Sequence, residues 1–170
     1  MTVPYPFRKI LVPTDFSTCS DSALTLGAQL AHDVGAELVA LHVVDPGHVP
    51  LSAVIHPSTH PEGVDVRTHT TELATRAIER RLERLPVTVV ARSGHVVFGR
   101  PAKMICQAVA DLGADLVVMG THGRTGIAHL IMGSVAEKVL RVAKVPVLTV
   151  REATCVDRPL DPELSFEDEG

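Results

Sequence analysis

Aromatic residues are almost missing from this sequence: tryptophan is absent, and only one tyrosine and four phenylalanines occur among 170 residues. The core must therefore be built from aliphatic side chains, which is typical of helices packed on a parallel sheet. The chain also has no run of about 18 apolar residues, the length that a membrane-spanning helix needs. Its first residues lack the apolar segment of a signal peptide. These absences predict a protein without a membrane partner.

Cysteine is scarce as well, since Cys19, Cys106 and Cys155 are widely spaced and form no C-x-x-C pair. This pattern argues against a disulfide framework or a zinc finger and in favour of a reducing compartment. The sequence therefore predicts a cytoplasmic location.

No basic patch is present, and the formal net charge is −4. Residues 152–170 contain seven acids and one base, so the preceding part of the chain is close to neutral. Nucleic-acid binding needs a concentrated basic face, and it is not expected here. We predict one α/β domain over residues 1–151, followed by an acidic and disordered tail over residues 152–170.

Apolar segments with strand character alternate with helical segments along the first 151 residues. Strands are predicted over residues 8–13, 37–44, 86–91, 115–119 and 146–150. Helices are predicted over residues 18–34, 66–85 and 135–143, and a further helix starts after Gly99, with Pro101 near its first turn, and ends at Gly113. This alternation predicts a single three-layer α/β sandwich with a five-stranded parallel sheet of the Rossmann-like type. If the strand order is 3-2-1-4-5, a ligand is expected at the carboxyl ends of the first and fourth strands.

The last helix has a distinct start signal, because Ser134 and Glu137 have the S-x-x-E spacing of a capping box. In that motif the serine side chain caps the helix and the glutamate side chain reaches back to the serine amide. We therefore predict that Ser134 is the N-cap residue.

Residues 45–65 contain four prolines and show no periodicity, which predicts a long loop that is either a lid or mobile. His48, His56, His60 and His69 lie in or near this segment. Their spacing matches no helical or zinc-finger pattern, and it favours solvated histidines over a metal site.

The stretch from Val117 to Val135 is the strongest candidate for a ligand site. Gly120 and Gly123 follow a buried strand, and Gly133 precedes a helix. Glycine permits close approach of a ligand, and a helix N-terminus favours phosphate. The alternative is an ordinary turn followed by an unrelated helix cap.

Further polar side chains fall near the same predicted edge of the sheet. Asp15, beyond the first strand, either accepts hydrogen bonds from ribose and helps to hold a hydrated metal, or caps the first helix. His122 and Arg124 lie between the glycines and either add positive charge or are solvated.

The spacing Gly120-x2-Gly123-x9-Gly133-Ser134 resembles the G-x2-G-x9-G-(S/T) motif of the ATP-binding branch of the universal stress proteins. The resemblance extends over further blocks in the same register. These blocks are I-L-V-P-T-D-F-S at 10–17, L-V-A-L-H-V-V at 38–44, G-R-P-A-K-M-I at 99–105, A-D-L-V-V-M-G-T-H-G-R-T-G at 114–126 and V-P-V-L-T-V at 145–150.

The resemblance implies the strand order 3-2-1-4-5, a homodimer joined through the strand at 145–150, and ATP bound with a divalent metal such as Mg²⁺. By position it assigns the nucleoside side to Pro13, Thr14 and Asp15, with Val43 near the base. It assigns the phosphate side to Met119, Gly120, Gly123, Arg124, Gly133, Ser134 and Val135.

No catalytic set accompanies these residues, because the sequence has neither a G-x-x-x-x-G-K-[ST] segment nor a G-x-S-x-G elbow. We therefore expect an ATP-binding sensor or regulator of the stress response with at most slow hydrolysis. Two alternatives stay open: a dimeric interaction module that works without nucleotide, and an ATP-using enzyme such as an adenylating ligase or a nucleotidase.

Overall fold

The computed structural model describes residues 5–47, 50–121 and 132–151, and these contain seven strands and four helices. In chain order they are β1 (Lys9–Thr14), α1 (Thr18–Val34), β2 (Glu37–Val44), β3 (Val54–Ile55), β4 (Val64–Asp65), α2 (Val66–Glu83), β5 (Ala91–Phe98), α3 (Pro101–Leu112), β6 (Leu116–Gly120), α4 (Ser134–Val142) and β7 (Val147–Val150).

Five of the strands form one parallel sheet in the order β5-β2-β1-β6-β7. When only these five are numbered along the chain, the order is 3-2-1-4-5. The predicted α/β architecture is therefore confirmed. Parallel strands can be neighbours here because helices carry the chain back across the faces of the sheet between them.

The two faces of the sheet carry separate hydrophobic cores, because successive strand residues point in opposite directions. Ile10 and Val12 pack with α1 and α2, whereas Leu11 between them packs with α3 and α4. All three side chains are fully buried. The helices therefore cover the sheet on both sides, which is the three-layer arrangement expected from the sequence.

The prediction of the third sheet strand at residues 86–91 is wrong, since β5 spans Ala91–Phe98. The β-branched residues Val87 and Val89 pack against the α1 and α2 side of the core from outside the sheet. The strand instead follows the full length of β2, from Glu37–Ala91 to Val44–Phe98. Backbone pairing with β2 decided the position, and local β propensity did not.

The described part of segment 45–65 contains regular structure, whereas the sequence predicts a long loop. Residues Val54–Ile55 and Val64–Asp65 pair as an antiparallel hairpin, and Asp65 accepts a hydrogen bond from the amide of Thr68 as the N-cap of α2. His69, in the first turns of α2, is buried. This burial and the nearby His60 lower the pKa of His69.

Helix α4 begins where the sequence predicts, but its cap is different. Gly133 is the N-cap residue and Ser134 is the first helical residue, with no side-chain capping bond. The carboxylate of Glu137 pairs with Arg141 at 2.7 Å instead of reaching back to the serine amide. The capping-box prediction is therefore wrong, because Ser134 already lies inside the helix and Gly133 takes the cap position.

The two described cysteines differ in their state. Cys19 is disulfide-bonded, contrary to the expectation from cysteine spacing. Cys106 is a free thiol, and burial raises its pKa.

The predicted acidic tail over 152–170 lies outside the described residues. No helix within the described residues is long and apolar enough to span a membrane.

Candidate functional site

A cleft opens at the carboxyl edge of the sheet because β1 and β6 separate there. These strands pair only at Ile10–Leu116 and Leu11–Val117. Beyond that point β1 follows β2 and β6 follows β7, each to its end. The resulting cleft has a volume of about 540 Å³. It lies at the position where chain connections leave in opposite directions, which is the usual ligand position in such sheets.

The structure brings the predicted site residues together around this cleft wherever they fall within the described chain. Those that line it are Pro13, Thr14, Asp15, Val43, Met119, Gly120, Gly133, Ser134 and Val135. Gly123, Arg124 and the adjacent His122 lie outside the described residues, so their placement stays a prediction. The role of every one of these residues in ligand binding also stays a prediction.

The loop after β1 is held by a chain of hydroxyl groups. The hydroxyl of Thr14 accepts a hydrogen bond from the Phe16 amide at 3.1 Å and contacts the Ser20 hydroxyl at 3.1 Å. Since Ser20 donates its hydroxyl hydrogen to the Ser17 carbonyl, Thr14 is the donor to Ser20. Each hydroxyl therefore has a defined direction, and the loop is fixed against the start of α1.

Asp15 supports this loop without capping the helix itself. Its Oδ1 accepts hydrogen bonds from the amide and the hydroxyl of Ser17, at 3.1 and 2.6 Å. Ser17 is the N-cap residue and accepts from the amide of Ser20. The carboxylate is thus fixed at the wall of the cleft, which is the position needed to accept hydrogen bonds from a ligand.

Phe16 is the most strained residue of the cleft, since it is the one non-glycine residue of the described chain with positive φ, at 67°. Its ring stacks on His42 with 4.3 Å between centroids, and the guanidinium carbon of Arg81 lies 4.6 Å from the centroid of the Phe16 ring. Arg81 also donates to the Phe16 carbonyl and to Asp21. Such strain persists only when surrounding contacts over-determine it, and these contacts do so here.

His42 joins the ends of the two central strands. Its Nδ1 donates a hydrogen bond to the carbonyl of Thr14 at 2.8 Å, which fixes the tautomer with hydrogen on Nδ1. The last two residues of β2, Val43 and Val44, extend beyond the end of β1 and pair only with β5. They therefore present a strand edge along the cleft, where backbone groups can meet a planar ligand.

The N-terminus of α4 lines the opposite side of the cleft. The amide of Gly133 is already used, because it donates to the carbonyl of Thr121 at 2.7 Å. The next three amides, of Ser134, Val135 and Ala136, belong to the first turn and have no intrahelical acceptor. They and the positive end of the helix dipole form a site suited to an anion.

Gly120 has a packing role that sequence spacing did not suggest. A Cβ atom at this position would lie 3.1 Å from the backbone carbon, carbonyl oxygen and Cβ of Cys19 in α1. Gly120 is paired with Val150 as the last residue of β6 and does not have positive φ. The glycine is therefore needed for the close approach of α1 to the sheet.

Several residues of the cleft were missed by the sequence analysis. They include Phe16, His42, Asp45, Thr70, Leu73 and Ile105. A histidine inside the apolar segment at 38–44 was a usable signal, because a polar residue in a buried strand commonly serves a site. The residues of α2 and α3 gave no signal, since only packing decides which helix faces meet the cleft. Among the described residues that line it there is no lysine or arginine.

Known proteins resemble this chain over almost all of its described length. The sequence model of the Universal stress protein family matches residues 6–151. The universal stress protein YxiE of Bacillus subtilis is 31% identical over 147 residues, which cover 85% of this chain and 99% of that protein. The universal stress protein MJ0577 of Methanocaldococcus jannaschii is 27% identical over 154 residues, which cover 85% of this chain and 95% of that protein.

Solved structures resemble the fold as well. The structure of MJ0577 gives a TM-score of 0.71 at 28% identity and covers 86% of this chain and 97% of that one. A universal stress protein in complex with cAMP gives a TM-score of 0.59 at 23% identity, covering 85% of this chain and 97% of that one, and shows the shared fold alone. Since the family match includes every strand and helix described above, the chain belongs to the universal stress protein family.

Proposed function

We propose that this protein binds ATP with Mg²⁺ in the cleft and acts as a cytoplasmic sensor or regulator of the stress response. We further propose that residues 1–151 form the binding unit and that the acidic tail lies outside it. The observation that carries the proposal is the arrangement around the cleft: a strand edge on one side and a helix N-terminus on the other. A nucleotide has matching chemistry, with a planar base at one end and phosphates at the other.

Each part of the nucleotide has a candidate partner in the cleft. The strand edge at Val43 suits the hydrogen-bonding edge of a base, and Asp15 suits ribose hydroxyls, which need an acceptor. The first-turn amides of α4 suit phosphate oxygens. The cleft volume of about 540 Å³ is within the range of about 300–1,000 Å³ that is usual for small-molecule sites.

The oxygen donors of the cleft also fit Mg²⁺. This ion is usually held by one or two carboxylates, water and substrate phosphates, and Asp15 and Asp45 both line the cleft. In the proposed complex the ion would neutralise part of the phosphate charge. The protein side would provide the carboxylates, and the hydrogen bonds from Ser17 would keep Asp15 in position.

We propose that bound ATP is hydrolysed slowly at most, because the described residues of the cleft supply few of the groups that phosphoryl transfer needs. That reaction needs cationic groups around the transferred phosphoryl group and an oriented nucleophile. The described lining supplies carboxylates, hydroxyl groups, one imidazole and apolar side chains, and none of these is a permanent cation. The lack of lysine and arginine in the described lining favours a protein that holds a nucleotide over an ATP-using enzyme.

The direct test is calorimetric titration of nucleotide-free protein with ATP in the presence of Mg²⁺, alongside GTP as a control for the base. We expect saturable binding of ATP that is stronger than that of GTP, and mass spectrometry of freshly purified protein should detect adenine nucleotide. If ATP does not bind, the proposal fails and the nucleotide-independent interaction module becomes the better account.

We also propose a homodimer formed through β7. This strand pairs only with β6 within the described chain and is an edge of the sheet. Leu148 in β7, together with Leu140 and Val142 of α4, is an exposed large apolar side chain. An apolar edge of this kind is a liability unless it is covered, and a second copy of the chain would cover it.

Leu148→Lys is therefore expected to convert the dimer to monomer at micromolar concentration, because it places a charge in an apolar interface. Analytical ultracentrifugation measures the change. Val90→Lys is the matched control, since Val90 is 77% exposed and precedes the strand at the other edge of the sheet. Equal dimerisation of the two variants would show that β7 is not the interface.

A further inference from the structure

Three side chains with metal-binding chemistry meet outside the cleft. His69 and Glu72 lie three residues apart on α2, so they share one face of the helix. His60 reaches them from the turn between β3 and β4. One ligand atom from each residue can be chosen so that all three atoms lie within 4.8 Å of one another. The spacing of these histidines in the sequence favours solvated side chains, because it does not reveal the hairpin that brings His60 to α2.

The separation between two of these atoms already suits a metal ion. Nε2 of His60 lies 3.4 Å from Oε2 of Glu72. In a tetrahedral site with bonds of about 2.0–2.1 Å, neighbouring ligand atoms are about 3.3 Å apart. The Nδ1 atom of His60 contacts the hydroxyl of Thr59 at 3.2 Å, which orients the ring with Nε2 towards Glu72. Such an orienting partner is typical of metal-bound histidines.

His69 supplies a separate reason to expect a ligand. Its side chain is buried, with 9% exposure, and its Nδ1 atom has no hydrogen-bond partner within the described chain. Leaving a buried polar atom without a partner costs about 1–3 kcal/mol. The contact between His60 and Glu72 gives these two side chains a partner in each other. The edge-on contact between the rings of His60 and His69, with 5.9 Å between centroids, gives the Nδ1 atom of His69 no hydrogen-bond partner.

We propose that His60, His69 and Glu72 form a binding site for a divalent transition-metal ion of the zinc class. Two imidazoles and one carboxylate suit such ions, whereas Mg²⁺ and Ca²⁺ prefer oxygen ligands. Three protein ligands leave a fourth position for water or an external ligand. The site is separate from the nucleotide cleft and does not depend on the proposed binding of ATP.

Occupation of the site would fix the β3–β4 hairpin to α2. The hairpin is already tied to the start of this helix by the amides of Val66 and Arg67, which donate to the carbonyls of Ala53 and Leu51. Other residues of α2, among them Thr70 and Leu73, line the cleft. The metal would thus stabilise one wall of the cleft from its outer side.

The test uses the full chain without a polyhistidine tag, treated with EDTA, free of nucleotide and kept in excess Mg²⁺. Titration with Co²⁺ is followed by visible absorption, and competition with a chromogenic chelator gives the affinity for Zn²⁺. We expect one equivalent to bind, with the intense absorption of a tetrahedral Co²⁺ site. His60→Gln and Glu72→Gln should each weaken Zn²⁺ binding by a factor of about ten or more.

His56→Gln is the matched control, because His56 is an exposed histidine of the same hairpin outside the group of three. It should bind Zn²⁺ as the parent chain does. Zn²⁺ should also raise the Tm of the parent chain and of His56→Gln more than that of Glu72→Gln, since only a folded site gains from binding. These substitutions avoid the buried His69, whose replacement risks the fold.

Absence of Zn²⁺ binding by the parent chain would overturn the proposal. So would binding that His60→Gln and Glu72→Gln leave unchanged, or an equal loss in His56→Gln. A tenfold loss restricted to the two ligand variants supports the site, whether or not the protein binds ATP.

Discussion

Ser134→Asp is expected to weaken ATP binding by a factor of about 100 or more while leaving the thermal stability unchanged or slightly raised. Ser134 is the first residue of α4 and lines the cleft. A carboxylate there would face the proposed phosphates, and two unit charges about 4 Å apart interact with about 4 kcal/mol near a protein surface. A factor of 100 corresponds to about 2.7 kcal/mol, so the repulsion is sufficient.

The same carboxylate favours the fold, because a negative side chain in the first turn of a helix stabilises it by about 0.3–1 kcal/mol. Binding and stability should therefore change in opposite directions. Calorimetry gives the affinity for ATP, and thermal denaturation of the nucleotide-free protein gives the Tm. Ser134→Asn is the control, since it has similar size without the charge, and its loss of affinity should be much smaller.

If Ser134→Asp retains the affinity of the parent chain, the phosphates do not lie at the N-terminus of α4. A loss of affinity accompanied by a fall in Tm would instead indicate that the substitution disturbs the helix. Equal losses in the aspartate and asparagine variants would assign the effect to the lost hydroxyl and not to charge.

Gly27→Ala is expected to lower the free energy of unfolding by about 1–2 kcal/mol, although alanine is the better helix former. Gly27 lies in α1 against β1, and a Cβ atom there would be 2.6 Å from Cγ2 of the fully buried Val12. Overpacking a core costs about 1–3 kcal/mol. The gain in helix propensity, up to about 1 kcal/mol, offsets only part of this cost.

A double-mutant cycle with Val12→Ala tests that explanation. Val12→Ala alone removes buried methyl groups and leaves a cavity, which destabilises the fold. In the double variant the methyl group introduced by Gly27→Ala occupies part of that cavity, so the combined loss should be smaller than the sum by about 0.5–3 kcal/mol. Urea denaturation measures each variant.

Gln29→Ala, on the exposed side of α1, serves as the control for substitution in this helix and should change stability by less than about 0.5 kcal/mol. Strict additivity of Gly27→Ala and Val12→Ala would contradict the proposed contact. The helix would then have room to move away from the sheet.

Much of the fold could be predicted because its central strands have a clear signal in the local sequence. Residues 37–44 combine an apolar, β-branched segment with a preceding glycine terminator, and the structure has β2 over the same range with Gly35 in the left-handed conformation. Gly113 ends α3 in the same way. Buried parallel strands have continuous apolar sequences, and left-handed helix caps are usually glycine. Both features can therefore be predicted without knowledge of distant residues.

The edge strand β5 could not be predicted in this way. It contains Arg92, Ser93, Gly94 and His95, and its larger apolar residues are confined to its second half. Its position follows from pairing with β2 and from close packing of Ile78 of α2, whose Cγ2 would lie 2.5 Å from a Cβ atom at Gly94. An edge strand is defined by one neighbour and one helix, and both are remote in sequence.

The candidate site likewise has some features that the sequence could predict and others that only packing decides. The glycines and the helix start left two interpretations open, a phosphate site or an ordinary turn, and the family resemblance favoured the phosphate site. The alternation of strands and helices indicated that Asp15 lies near it. The structure adds the hydroxyl chain from Thr14 to Ser17, the stack of Phe16 on His42 and the faces of α2 and α3 that close the cleft. These depend on side-chain directions that only packing determines.

The sequence by itself determined the α/β class, the order of its elements and a motif suited to phosphate, because each of these depends on short-range periodicity and on glycine conformation. Only the tertiary structure decided where the edge strand pairs, that Gly120 is needed for contact with α1, and that His60 meets His69 and Glu72. The physical reason is that side chains distant in sequence become neighbours through pairing and packing, and no local pattern encodes which of them will meet.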